Sequence, residues 1–189
     1  MKNRSFDLIV YGATSFVGQI LTRYLFEHIG VGGKVNWAIA GRSEKKLSVL
    51  KSSLGSNADS LSVIVADASD EVALTTMCQS ARVIASTVGP YALYGEPLVK
   101  ACAENGTDYC DLCGEAYWIK AMILKYSDAA KASGARIVSC CGFDSIPSDL
   151  GVHFLQRQGK QRFSKYFDDV KVAVNTMKGG ASGGTLASM

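Results

Sequence analysis

Phe6-Asp7-Leu8-Ile9-Val10-Tyr11-Gly12-Ala13-Thr14-Ser15-Phe16-Val17-Gly18 is the stretch whose reading decides the fold. An apolar run stops at Gly12, crosses a short polar turn, and resumes with helical spacing at Val17, Ile20, Leu21, Tyr24 and Leu25. That pattern predicts a buried strand, a tight turn and a helix, the first unit of a doubly wound dinucleotide-binding sheet. At a helix start the N–H groups around Ser15, Phe16 and Val17 have no acceptor one turn back. They point at an anion placed there, and the helix dipole adds to the attraction. Gly12 permits the turn, and Gly18 lets the helix lie close to the strand. Ser15 occupies the place of the middle glycine in the general fingerprint. Gly12, Thr14, Ser15, Phe16, Val17 and Gly18 are therefore the candidate pyrophosphate contacts.

The next apolar run, Val35-Asn36-Trp37-Ala38-Ile39-Ala40, ends at Gly41-Arg42-Ser43. This point lies about twenty residues beyond the glycine turn, where an NAD-selective site carries an Asp or Glu for the ribose 2′-hydroxyl. Arg42 stands there instead, with Ser43 beside it and Lys45 and Lys46 close behind. A guanidinium in that place pairs with a 2′-phosphate and stacks on an adenine face. A merely superficial arginine would sit against the dipole of the helix that follows. The residues thus favour NADP over NAD.

Ser43 is placed to cap a helix carrying Leu47, Leu50 and Leu54. Residues 61–66 predict a third strand, closed by Asp67-Ala68-Ser69-Asp70. Asp67 reads either as a neighbour of the adenine pocket or as a turn or N-cap residue, and the two roles are compatible. Residues 82–87 predict a fourth strand, followed by Val88-Gly89-Pro90-Tyr91-Ala92-Leu93-Tyr94-Gly95. In a doubly wound sheet the strand order reverses between strands one and four, and the ligand lies in the crevice there. Thr87, Val88, Gly89, Pro90 and Tyr91 accordingly read as a wall for the ribose and nicotinamide, against the alternative of a turn held by aromatic packing.

Helices are predicted from Glu96-Pro97 and through Ile119, Met122, Ile123, Tyr126 and Ala130, with strands at 107–112 and 135–140. Six strand-like segments alternating with five helix-like ones give an α/β class, a Rossmann-type doubly wound parallel sheet. The character changes at Cys141-Gly142-Phe143-Asp144-Ser145-Ile146-Pro147-Ser148-Asp149. Pro147 opens a helix, the run from Phe167 to Met177 reads as a strand, and a glycine-rich turn with the start of a helix follows. One strand cannot close a second core. The expected organisation is a dinucleotide-binding domain over 1–146, then a linking helix and the beginning of a mostly missing α+β substrate domain over 147–189.

Composition narrows the function classes. The 189 residues are 48% hydrophobic and 20% charged, with a net charge of +3, which suits a globular chain with an ample core. The basic residues are scattered, so nothing calls for nucleic acid as a partner. No apolar run approaches the roughly 18 residues of a membrane-spanning helix, and no secretory leader precedes the first strand. A cytoplasmic location is the expectation. Cys110 and Cys113 have metal-ligand spacing, but the adjacent pair Cys140 and Cys141 has poor zinc geometry. Buried thiols are expected rather than a metal or dithiol centre.

Taken in order, Tyr11-Gly12-Ala13-Thr14-Ser15-Phe16-Val17-Gly18, Ala40-Gly41-Arg42-Ser43, Thr87-Val88-Gly89-Pro90-Tyr91, Tyr94-Gly95, Asp108-Tyr109-Cys110-Asp111, Gly114-Glu115 and Gly142-Phe143-Asp144-Ser145-Ile146-Pro147-Ser148-Asp149 resemble the saccharopine dehydrogenase-like oxidoreductases. The branch that includes the bacterial trans-acting enoyl reductases is the most similar, and Gly179-Gly180-Ala181-Ser182-Gly183-Gly184-Thr185 resembles it too. The resemblance implies an NAD(P)-binding Rossmann domain followed by a substrate domain, and hydride transfer between nicotinamide and an enoyl, carbonyl or imine carbon. It also implies that the glycine turn, Arg42, Asp67 and the 87–91 loop line the cofactor. The middle serine looks normal for this branch.

A small-molecule substrate, lipid-like in the enoyl reductase case, is the partner implied; homo-oligomerisation stays open. Tyr91, Tyr94, Asp111, Glu115 and Asp144 fall at carboxyl-end loops where a proton donor would sit, and none is singled out as catalytic. The competing reading is a dinucleotide-binding module without turnover.

Overall fold

A computed structural model describes residues 4–176 and residue 178. The order is β1 (Phe6–Tyr11), α1 (Phe16–His28), β2 (Trp37–Gly41), α2 (Glu44–Ser53), β3 (Ser62–Val65), α3 (Glu71–Ser80), β4 (Ala81–Ser86), α4 (Tyr91–Tyr94), α5 (Glu96–Asn105), β5 (Asp108–Asp111), α6 (Ala116–Ser133), β6 (Ile137–Val138) and α7 (Ile146–Phe163). The strands form one sheet in the order β3-β2-β1-β4-β5-β6, and every pairing is parallel. Right-handed crossovers then put helices on both faces, so the strands are apolar on both sides.

The two-residue period of β1 divides its side chains between those faces. Ile9 and Tyr11 join Met77, Ile84, Leu98, Tyr109 and Trp118 in a core beneath α3, α5 and α6. Val10 joins Leu25, Trp37, Ile39, Leu47 and Leu61 beneath α1 and α2. Each large side chain fully buried this way contributes about 1.5–3 kcal/mol. Arg4 ties the start of the chain to the β5 side of the sheet, its guanidinium donating to the carbonyls of Cys78 and Asn105 (2.7 Å to the latter) and to Thr107 Oγ1 at 2.9 Å.

Several expectations need correction. In α1 the inward residues are Gly18, Thr22 and Leu25, while Ile20 and Tyr24 are more than half exposed. The close approach at Gly18 rolls that helix so the small residues face the sheet. The last strand keeps only Ile137 and Val138, at the sheet edge, where no other strand lies beside it among the described residues. The run from Phe167 through Thr176 is not a strand and joins no sheet, because no described segment offers it a ladder to pair with. The glycine-rich turn and helical start expected from residue 179 onward lie outside the described residues.

The thiols are not uniformly buried. Cys78, Cys102 and Cys113 are, Cys110 and Cys140 are half-buried, and Cys141 is exposed; all six are free. Among the described residues no helix is long and apolar enough to cross a membrane.

Candidate functional site: the crevice between β1 and β4

The strand order reverses between β1 and β4, and the loops leaving their carboxyl ends meet there. Gly12 adopts φ +83°, and a Cβ on it would lie 2.6 Å from Val88 Cγ2 and 2.9 Å from Thr87 Oγ1. Only glycine accepts both the left-handed backbone and that proximity. A Cβ on Gly18 would stand 2.2 Å from the Gly12 carbonyl oxygen, so α1 sits as low on the sheet as backbone permits.

Ser15, the residue in place of the middle glycine, is the N-cap of α1. Its Oγ accepts from the Gly18 N–H at 3.0 Å. The same oxygen lies 3.0 Å from Thr87 Oγ1, which donates to the Gly12 carbonyl at 2.9 Å. One proton arrangement satisfies the whole set: Gly18 N–H to Ser15, Ser15 O–H to Thr87, Thr87 O–H to Gly12. The serine thus caps the helix and fastens the glycine turn to the end of β4, two tasks a glycine could not perform.

Of the three N–H groups expected to face an anion, that of Ser15 is occupied, donating to the Gly12 carbonyl at 2.8 Å. Those of Phe16 and Val17 have no acceptor among the described residues, and the Phe16 side chain is 71% exposed beside them. Two donors at the start of a 13-residue helix remain available for an anion. Thr14 is half-buried in the same turn, and its carbonyl accepts from Gln19 at 3.1 Å.

Arg42 follows the last residue of β2, exposed, with no hydrogen bond or ion pair among the described residues. Ser43 caps α2, accepting from the Lys46 N–H at 3.4 Å. Asp67, beyond β3, accepts from the Ser69 N–H at 2.9 Å and the Ser69 hydroxyl at 2.7 Å. These bonds, with a smaller contribution from the charge of Arg42, hold its carboxyl below the usual range. Asp67 is therefore the turn residue, while Asp70 is the N-cap of α3. Burial, then the charge of Asp67, pushes the Tyr11 phenol well above its ordinary value, so Tyr11 stays protonated.

The wall expected over 87–91 divides in two. Thr87 and Val88 pack on the glycine turn, Gly89 is exposed and Pro90 half-buried. The Tyr91 side chain turns inward, 5% exposed, its hydroxyl donating to the Ser86 carbonyl at 3.2 Å and its ring 5.6 Å from that of Trp118. Burial raises its phenol well above the ordinary value. Aromatic packing thus accounts for the Tyr91 side chain, leaving its backbone at the wall.

The structure assigns work to residues that sequence singled out only as loop carboxylates. Asp111, 3% exposed, accepts from the Tyr109 and Ser139 hydroxyls and the N–H groups of Cys113 and Cys140. Glu115 accepts from the N–H groups of Tyr91 and Ala92, each at 2.8 Å. Their position at strand ends was legible, but apart from the Cys113 N–H their backbone partners lie more than twenty residues away in the chain and left no local signal. No group of three or more His, Cys, Asp or Glu side chains that could hold a metal occurs among the described residues.

Comparison with known proteins places this geometry. A protein from Mycobacterium tuberculosis provisionally named a trans-acting enoyl reductase is 44% identical over 98% of the chain and 44% of its own length. Another M. tuberculosis protein, named trans-acting enoyl reductase, is 41% identical with the same coverage. A Caenorhabditis elegans protein named lipid droplet localized protein is 47% identical over 80% of the chain and 36% of its own length. The chain thus spans less than half the length of these relatives. Among solved structures, saccharopine dehydrogenase (L-Glu forming) from Saccharomyces cerevisiae matches 82% of the chain and 32% of its own, with a TM-score of 0.57 and 17% identity. That likeness concerns the fold. The model of the saccharopine dehydrogenase NADP binding domain matches residues 8–138, and with most of the six-stranded sheet inside that match the chain belongs to this family.

Proposed function

We propose that this chain is the cofactor-binding part of an NADP(H)-dependent oxidoreductase. The observation that carries the proposal is the geometry at the β1–β4 crevice. There, among the described residues, the N–H groups of Phe16 and Val17 have no acceptor at a helix start braced by Ser15 and Thr87, and Arg42 beyond β2 makes no hydrogen bond or ion pair. These residues fit a dinucleotide: two N–H donors for the pyrophosphate, and a guanidinium for a 2′-phosphate.

Arg42 favours NADP(H) over NAD(H), because a guanidinium rather than a carboxylate stands directly after the last residue of β2. In the proposed pose Gly12, Thr14, Ser15, Phe16, Val17 and Gly18 surround the pyrophosphate. Arg42, Ser43 and Asp67 border the adenosine half, and Thr87, Val88, Gly89, Pro90 and the Tyr91 backbone border the nicotinamide half. The nicotinamide, when bound, supplies the hydride. The protein's part is to hold it in register and to present one face to the substrate.

An enoyl, carbonyl or imine carbon is the proposed acceptor, and the enoyl reductase relatives support the first of these. The relative named lipid droplet localized protein supports a lipid-like substrate. Residues 1–146 form the proposed cofactor domain, and α7 leads out of it toward the substrate domain. Leu150, Phe154 and Phe163 of α7 are each more than half exposed, which supports that direction.

Thermal melting tests the assignment. Saturating NADPH should raise the melting temperature by several degrees and NADH by less, since ligand bound only to the folded state stabilises it by mass action. No rise with either nucleotide would refute the proposal.

A further inference from the structure

Asp111, the last residue of β5, and Glu115, the last of the four residues 112–115 that join β5 to α6, carry two carboxylates that reach in opposite directions. Glu115 Oε1 accepts from the Tyr91 N–H and its Oε2 from the Ala92 N–H, both at 2.8 Å, so one carboxylate spans two successive amides of the loop after β4. Asp111 holds the other side. Its Oδ1 accepts from the Cys140 N–H at 3.1 Å and its Oδ2 from the Ser139 hydroxyl at 3.2 Å, while its carbonyl takes the Cys141 N–H at 2.7 Å. Cys140 is held there at φ +61°, a left-handed conformation that a non-glycine residue adopts at a cost. The loops after β4 and after β6 are therefore both set by one short connector between them.

These loops border the second half of the sheet. A dinucleotide laid across the crevice, with its adenosine over β2 and β3, puts its nicotinamide there. The near end of the first loop is Thr87 and Val88, already packed on Gly12 and bonded to Ser15. At its far end the buried Tyr91 ring anchors the side chain, and the two bonds to Glu115 hold the backbone amides.

We propose that Glu115 is a positioning residue for the nicotinamide half of the cofactor. By holding the amides of Tyr91 and Ala92 it sets the distance of the 87–91 wall from the glycine turn, while the adenosine half, over β2 and β3, is independent of it. This inference rests on the NADP(H) reading above.

The test measures, on the full chain, the affinity of E115Q for NADPH and for 2′,5′-ADP, which carries the 2′-phosphate and adenosine but no nicotinamide. Glutamine keeps the shape and one acceptor oxygen but opposes an NH2 to the second N–H. The expected result is an NADPH Kd raised about tenfold, since one charge-assisted bond becomes a donor–donor contact, with 2′,5′-ADP affinity changed less than twofold. Y126F serves as the matched control. It removes the hydroxyl bond to Glu96 and lowers the melting temperature, yet should leave the ratio of the two affinities as in the unaltered chain. If E115Q does not fold, E115D, too short to reach both amides, is read in the same way. Equal losses for both ligands, or an unchanged NADPH affinity, would overturn the positioning role alone. Failure of the unaltered chain to bind 2′,5′-ADP would instead overturn the NADP(H) reading, and this inference with it.

Discussion

Replacing Arg42 by alanine should separate the two nicotinamide cofactors. The guanidinium follows β2 with no hydrogen bond or ion pair among the described residues, so its removal breaks no such bond. Its absence removes one positive charge near the Asp67 carboxylate, which accepts from Ser69. A hydrogen bond between charged partners contributes about 1.5–3 kcal/mol, and exposure of Arg42 places it toward the lower part of that range. A loss of about 2 kcal/mol is close to a thirtyfold rise in Kd. Isothermal titration at low salt should therefore give R42A an NADPH affinity about thirtyfold weaker, with NADH affinity changed less than threefold through any loss of stacking on adenine. Added salt should shrink the NADPH difference, because exposed charges are screened over about 10 Å at 0.1 M. Equal losses for the two cofactors, or no loss for NADPH, would refute the assignment of Arg42 to the 2′-phosphate.

Two further outcomes follow from particular bonds. S15A removes the N-cap of α1 and the link to Thr87, and urea denaturation should show a loss of about 1–2 kcal/mol, with the melting temperature falling in step. D108N tests the acid limb: the Arg136 side chain donates to Asp108 Oδ2 at 2.9 Å and the Arg136 N–H to Oδ1 at 2.9 Å, holding that carboxyl below its usual range. A depressed folded-state value means this contribution is full above the unfolded value of about 3.9 and is lost as pH falls through the lower folded one. The melting temperatures of the unaltered chain and D108N should accordingly differ at pH 6 and draw together as pH falls below the unfolded value of about 3.9; a gap that persists into strong acid would contradict the ion-pair account.

Much of the architecture was readable because strand and helix periods are local. The alternation of apolar runs with helical spacing predicted six strands, and the sheet has them in the order a doubly wound fold requires. Gly12 and Gly18 were legible because glycine is demanded where backbone meets backbone. What was not legible depended on partners distant in the chain. Ile20 and Tyr24 fit the helical period as well as Thr22 does, and only the seating of α1 on the sheet decides which face is inward. The apolar run after Phe167 has strand composition, but composition supplies no neighbour to pair with, and no strand forms through Thr176. Ser15 read as a departure from a fingerprint until Thr87, 72 positions away, appeared at its hydroxyl. Tyr91 read as a site wall because loops at a switch point favour ligands, whereas Trp118 and the Ser86 carbonyl claim its side chain.

The central claim is that a dinucleotide lies at the start of α1, across the β1–β4 crevice. The most direct test is titration of the ¹⁵N-labelled chain with NADPH, followed by amide chemical shifts. The account predicts the largest shifts at Phe16, Val17 and Gly18, with a second group at Arg42 and Ser43 and a third from Thr87 to Tyr91. Shifts confined instead to the groove between α6 and β6, around Ile119, Met122 and Ile137, or no shifts at saturating NADPH, would contradict it.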